Sequence, residues 1–146
     1  MSSSAPILRR WSSSGSVWIR TPEVTKQRAK AVAYRGDKKI GEDFVRTAGE
    51  CAAVTATRDP YSDENDEFVF YRLAAVDAKG VLCPWEDREV EISVSGAGEF
   101  AAAGNGNPHD RTGFSSKRQR LFYGRAMVAV RCTGPGGIMV KAVLCQ

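Results

Sequence analysis

The sequence predicts an all-β fold, an antiparallel β-sandwich, on three observations. Short runs of β-branched and aromatic residues recur about every 8 to 12 residues, with Gly, Pro, Asn or Asp between them. The run Glu89 to Ser95 alternates strictly, with Val90, Ile92 and Val94 on one side and Glu89, Glu91, Ser93 and Ser95 on the other. That is the mark of a half-exposed antiparallel strand. No stretch carries a sustained apolar stripe at helical period with capping residues.

The elements follow in order. Ser2 to Ser16 is Ser-rich, basic and without periodicity, so its few apolar side chains do not offset the entropy of ordering it; residues 1–21 are expected to be disordered. Ala29 to Tyr34 and Ile40 to Val45 are strand-like runs on either side of Gly36-Asp37-Lys38-Lys39, a β-hairpin by its turn chemistry. Thr47-Ala48-Gly49-Glu50 is small and flexible, and a boundary there divides the hairpin region, 22–49, from a domain over 50–146. In that domain Cys51 to Thr57 is the first strand. Glu67 to Val76 is the second, with Val69, Tyr71, Leu73 and Ala75 on one buried face, closed by the turn Asp77-Ala78-Lys79-Gly80. Glu89 to Ser95, Phe100 to Ala103, Arg125 to Cys132 and Ile138 to Leu144 complete the set, each bounded by Gly- or Pro-containing turns.

Composition bounds the function. At 146 residues the chain holds one compact domain plus some extra sequence. With 42% apolar and 26% charged residues it can build a core. The net charge of +4 is spread among acidic residues and names no partner. No apolar run approaches the roughly 20 residues that span a bilayer, and Met1 to Gly15 has no apolar signal region; no membrane contact is expected, and no compartment is indicated. Cys51, Cys83, Cys132 and Cys145 lack CxxC or Cys/His spacing, so no metal site is expected. They are free thiols, or two of them form one disulfide whose pairing the sequence does not give. The Gly104 stretch lacks GxGxxG spacing, and no cofactor is expected.

Three further stretches carry a resemblance. They are Ala31-Val32-Ala33-Tyr34 through Glu42-Asp43-Phe44-Val45-Arg46-Thr47-Ala48-Gly49; Val76-Asp77-Ala78-Lys79-Gly80; and Gly104-Asn105-Gly106-Asn107-Pro108 with Phe114, Arg120, Phe122 and Gly124. Together they resemble the C-terminal region of family 2 glycoside hydrolases, which includes bacterial β-galactosidases. The resemblance implies an immunoglobulin-like or invasin-like C-terminal domain over 50–146, with Ser95-Gly96-Ala97-Gly98 as a corner. It implies that 22–49 is the closing hairpin of a truncated preceding sandwich, left as an orphan. The implied role is a non-catalytic accessory domain, or a fragment, of a β-galactosidase-like protein that hydrolyses terminal β-glycosidic bonds. Its implied partners are neighbouring domains or subunits of that glycoside hydrolase.

Family 2 chemistry needs two carboxylates about 5 Å apart on a barrel of roughly 250 residues. This chain is too short for that barrel, and Glu64, Asp66, Glu67, Glu86 and Asp87 fall in expected loops or strand edges; no catalytic residue is assigned. The single His109 with Ser115 and Ser116 lacks a nucleophile elbow. Arg111 to Arg125 mixes basic and aromatic residues, but at period 2 Arg120, Phe122 and Gly124 share one face and Leu121 and Tyr123 the other. This does not make a stacking platform for nucleic acid. Trp85, beside Pro84, is the candidate sugar contact, because flat rings stack on pyranose faces, with Asn105 and Asn107 as hydroxyl partners. The alternative function is therefore a freestanding carbohydrate-binding module.

Overall fold

The computed structural model describes residues 9–11, 17–25, 28–62 and 66–145, and it divides into two compact units at Thr47/Ala48. The first unit is a four-stranded antiparallel sheet, β1 (Arg9–Trp11), β2 (Val17–Thr25), β3 (Arg28–Arg35) and β4 (Lys38–Arg46), in that order. The hairpin expected ahead of the sandwich is β3–β4, which turns at Gly36 with φ +59°. Two strands extend it: β1 and the first residues of β2 fall within 1–21, the segment expected to be disordered, whose residues 1–8 and 12–16 lie outside the described residues. Val17 to Arg20 alternates over too few residues ahead of Pro22 to stand out, and pairing with β3 supplies what the local pattern lacks. On β4, Glu42 meets Lys30 at 2.9 Å and Lys39 at 2.7 Å, and these ammonium groups hold its carboxyl down at about 2.

The second unit is all strand, turn and loop among its described residues. Its strands are β5 (Cys51–Arg58), β6 (Phe68–Asp77), β7 (Glu89–Gly96), β8 (Gly98–Gly104), β9 (Arg118–Arg120), β10 (Arg125–Cys132) and β11 (Ile138–Leu144). They form two antiparallel sheets, β5-β6-β10-β8 and β11-β7-β9. The first reproduces the A-B-E-D order of an immunoglobulin sandwich, and the β7–β11 pair stands where its C and F strands do.

Alternation builds the core between the sheets. Val69, Leu73 and Ala75 of β6, Val128 and Val130 of β10, and Val90 and Ile92 of β7 are buried, and Ile138, Val140, Ala142 and Leu144 of β11 pack against them. Tyr71 shares the inward face and donates its hydroxyl to the Ile138 carbonyl at 3.5 Å. The Ser95–Gly98 corner is shaped by glycine. Gly96 has φ +88°, and a Cβ there would meet the Gly137 carbonyl oxygen at 2.2 Å, so a larger residue forces the two turns apart.

One expected element is different. Leu121 to Gly124 does not continue β9 as a strand; Phe122 and Arg125 exchange both backbone hydrogen bonds, 2.9 and 3.0 Å, around Tyr123 and Gly124. The period-2 assignment of Arg120, Phe122 and Gly124 to one face therefore fails beyond Arg120. Competition from a two-residue turn ending in Gly ends the strand there.

Candidate functional site

Three connections converge at one end of the sandwich: 82–88 between β6 and β7, 105–117 between β8 and β9, and 121–124 between β9 and β10. The first leaves β6 through a turn built on Asp77, whose carboxylate accepts from the backbone N–H groups of Lys79 and Val81 and from Gly49, at 2.8 to 2.9 Å. Those N–H donors, Gly49 first, hold its carboxyl below the usual range. Cys83, Pro84, Trp85 and Glu86 then form a turn closed by Glu86 N–H to the Cys83 carbonyl at 3.2 Å. Pro at its second position is pre-set for such a turn. Glu86 points inward and Trp85 outward, 55% exposed.

Glu86 is 7% exposed, and Arg88 binds it with a fork. Nε and Nη2 donate to the two carboxylate oxygens at 2.8 and 2.7 Å, and the Arg88 N–H adds a third bond at 3.1 Å. This guanidinium pulls the Glu86 carboxyl down to about 2. A carboxylate so committed is a structural anion rather than a proton donor.

The 121–124 turn docks on this segment. Gly124 N–H donates to the Glu86 carbonyl at 3.0 Å. A Cβ on Gly124 would lie 2.3 Å from the Cys83 carbonyl oxygen. Leu121 is buried and the ring of Phe122 meets that of Tyr123 edge to face at 4.6 Å. Tyr123 is 67% exposed and, among the described residues, the one non-glycine with positive φ, +50°. Paired with Gly124 at +70°, it completes a type I′ turn, whose first position Asn or Gly fills at lower cost.

The third connection is held by Asx turns. The Asn105 amide donates to the Arg120 carbonyl at 2.8 Å and to the Asp110 carboxylate, while its oxygen accepts from Asn107 N–H at 2.9 Å. Asn107 in turn accepts from His109 N–H at 3.0 Å. Arg120 reaches Asp87 at 3.6 Å, with both side chains exposed. Of the sequence-predicted residues, Trp85 and Asn105 are thus linked to one end of the sandwich through Asp87 and Arg120. The Asn105 and Asn107 oxygens are already engaged within their own loop. Sequence reasoning did not single out Tyr123, whose exposed ring lies in the turn docked on the 82–88 segment. Its signal is the Tyr-Gly pair placed between Leu121 and Ala126, both inward-facing.

Around the corner, on the outer face of β6, β10 and β8, lies a groove of about 530 Å³. Phe70, Met127 and Phe114 make it apolar, and Arg72 and Arg125 rim it. Among the described residues no three His, Cys, Asp or Glu side chains gather in a metal-binding group, and no helix is long and apolar enough to cross a membrane. Glu64 lies outside the described residues; Glu67 pairs with Arg131 at 3.7 Å.

Comparison with known proteins gives consistent matches. The model of glycoside hydrolase family 2 C-terminal domain 5 matches residues 53–144. The chain is similar to the β-galactosidase BoGH2A of Bacteroides ovatus, 31% identical over 110 residues, covering 74% of this chain and 13% of that protein. Its fold is similar to a glycosyl hydrolase family 2 member from Bacteroides cellulosilyticus, with TM-score 0.70, 23% identity, and 88% of this chain against 18% of that one. A β-glycosidase from Bacteroides vulgatus gives TM-score 0.70 at 20% identity, over 90% of this chain and 18% of that one.

Proposed function

This chain belongs to the glycoside hydrolase family 2 C-terminal domain 5 family, and from that membership we propose that it is a non-catalytic accessory domain of a β-galactosidase-like protein. In this reading 50–146 is the immunoglobulin-like C-terminal domain and 22–49 the closing hairpin of a sandwich before it. The domain packs on neighbouring domains or subunits of the glycosidase, and the catalytic carboxylates belong to a barrel elsewhere in that protein. The carrying observation is one of extent. The match covers the sandwich, and the chain spans 13% of the β-galactosidase it resembles. A barrel of roughly 250 residues does not fit in 146. The test is a chromogenic β-galactoside assay on the purified chain at high enzyme concentration. No turnover is expected; hydrolysis above the buffer rate, lost on Glu86→Gln or Asp87→Asn, overturns the reading.

The two exposed rings Trp85 and Tyr123 favour a second reading, a carbohydrate-binding module. Rings at this end of the sandwich offer flat faces to pyranoses, and Asp87, Arg120 and Asn107 offer hydroxyl partners, while Asn105 braces the loop. A glycan array should then give binding to β-linked oligosaccharides that Trp85→Ala and Tyr123→Ala each weaken by tenfold or more (about 1.4 kcal/mol). No binding at millimolar sugar overturns it.

A further inference from the structure

We propose that Cys51 and Cys83 are the two halves of a disulfide that staples the start of β5 to the β6–β7 connection. The four cysteines are thiols in this structure, and their spacing singles out no pair. The fold singles out this pair. Cys83 is fully buried, and its Sγ lies 3.7 Å from the carbonyl oxygen of Gly49, two residues before Cys51. Cys51 is half-buried and packs against the same core cluster, its thiol donating to the Ala53 carbonyl at 3.8 Å, and each of the two thiols influences the ionisation of the other. Cys132 and Cys145 lie at the ends of β10 and β11.

The backbone at Cys51 has the freedom to close the remaining gap. β5 is the edge strand of its sheet, and its pairing with β6 is irregular between Cys51 and Ala53. An edge residue at a bulge shifts without breaking a ladder on both sides. Cys83 is fixed, because its N–H bonds the Ala75 carbonyl at 2.9 Å and its carbonyl abuts Gly124. A disulfide needs a Cα separation of roughly 4.4–6.8 Å, and a shift at the irregular edge position of Cys51 is the movement that can supply it.

Exposure sets the order of the chemistry. The more accessible Cys51 thiolate attacks one sulfur of an external disulfide, such as oxidised glutathione, forming a mixed disulfide and releasing one thiolate. The Cys83 thiolate then attacks the Cys51 sulfur, forming the Cys51–Cys83 bond and releasing the second thiolate. The chain loses two protons and two electrons, and the external disulfide takes up both electrons as two thiols. Burial pushes both protein thiols up, the Glu86 carboxylate adding to this at Cys51 against the opposing Cys83 and Arg88, and Cys51, Asp77 and Glu86 adding to it at Cys83, so the reaction is slow near neutrality and accelerates in mild alkali.

The test is incubation of the whole chain with oxidised glutathione in mild alkali, followed by denaturation, alkylation and peptide mapping. The expected product has lost the mass of two hydrogens, alkylates at two of its four cysteines, and yields a linked Cys51–Cys83 peptide. Its melting temperature should rise by about 10 °C, reversed by reductant. The double variant Cys132→Ser/Cys145→Ser should oxidise equally, and Cys51→Ser should not. Four alkylated thiols after oxidation, a linkage involving Cys132 or Cys145, or continued pairing in Cys51→Ser overturns the proposal.

Discussion

Tyr123 shows how one residue can be placed against its own preference. Its φ of +50° lies in the left-handed region, which Asn tolerates and a ring does not favour. The ring nonetheless stays 67% exposed, where it recovers little burial energy. Tyr123→Asn is therefore expected to stabilise the domain by about 1 kcal/mol in urea unfolding, while deleting any sugar contact the ring makes. A loss of stability instead would mean that stacking on Phe122 outweighs the strain and that exposure needs no functional reason. Glu86 is the opposite case, a buried charge fully partnered. Its folded pKa is depressed from 4.5 to about 2, so its contribution is complete above pH 4.5 and is lost as pH falls toward 2. Because Arg88 is half exposed, the pair should contribute only about 1–2 kcal/mol. Unfolding free energies measured down through that window should fall less steeply in Glu86→Gln than in the parent chain. Equal slopes would assign the acid response to Glu42, Asp77 and Asp110, whose carboxyls are also lowered.

Elements were legible where their physics is local. The strict alternation of Glu89 to Ser95 gave β7 nearly to the residue, because one face is core and the other water. The face Val69, Tyr71, Leu73 and Ala75 was equally readable in β6, with Tyr71 keeping its hydroxyl toward the Ile138 carbonyl. β9 was lost for the opposite reason: at three residues, Arg118 to Arg120, it has no period to detect and is defined by its pairing with Glu89, Val90 and Glu91. The candidate site divides in the same way. Trp85 declared itself beside Pro84, whereas Tyr123 became visible only once Gly124 was seen docked on the carbonyls of Cys83 and Glu86. The loop asparagines looked like ligands for hydroxyls in sequence, but Asn105 spends its amide on Arg120 and Asp110. Short polar side chains in Gly-rich loops satisfy their own backbone first.

For the whole molecule, the distribution of buried side chains decides what folds alone. Among residues whose side chains are described, the hydrophobic cluster is drawn from Ala48 to Leu144, from both sheets of the second unit. On β3 and β4 Val32 is the one buried apolar side chain. There Phe44 is 50% and Val45 69% exposed, and the guanidinium groups of Arg28 and Arg46 sit 5.3 and 5.0 Å from the Phe44 ring in place of an apolar layer. A hairpin so exposed gains too little from burial to offset its chain entropy. A fragment of residues 48–146 is therefore expected to unfold cooperatively within a few degrees of the full chain, by circular dichroism and by denaturant. A fragment of residues 1–47 should show no cooperative transition. If removing 1–47 instead lowers the melting temperature by about 10 °C or more, the sandwich draws its stability from the sheet ahead of it, and its independence as an accessory domain is lost.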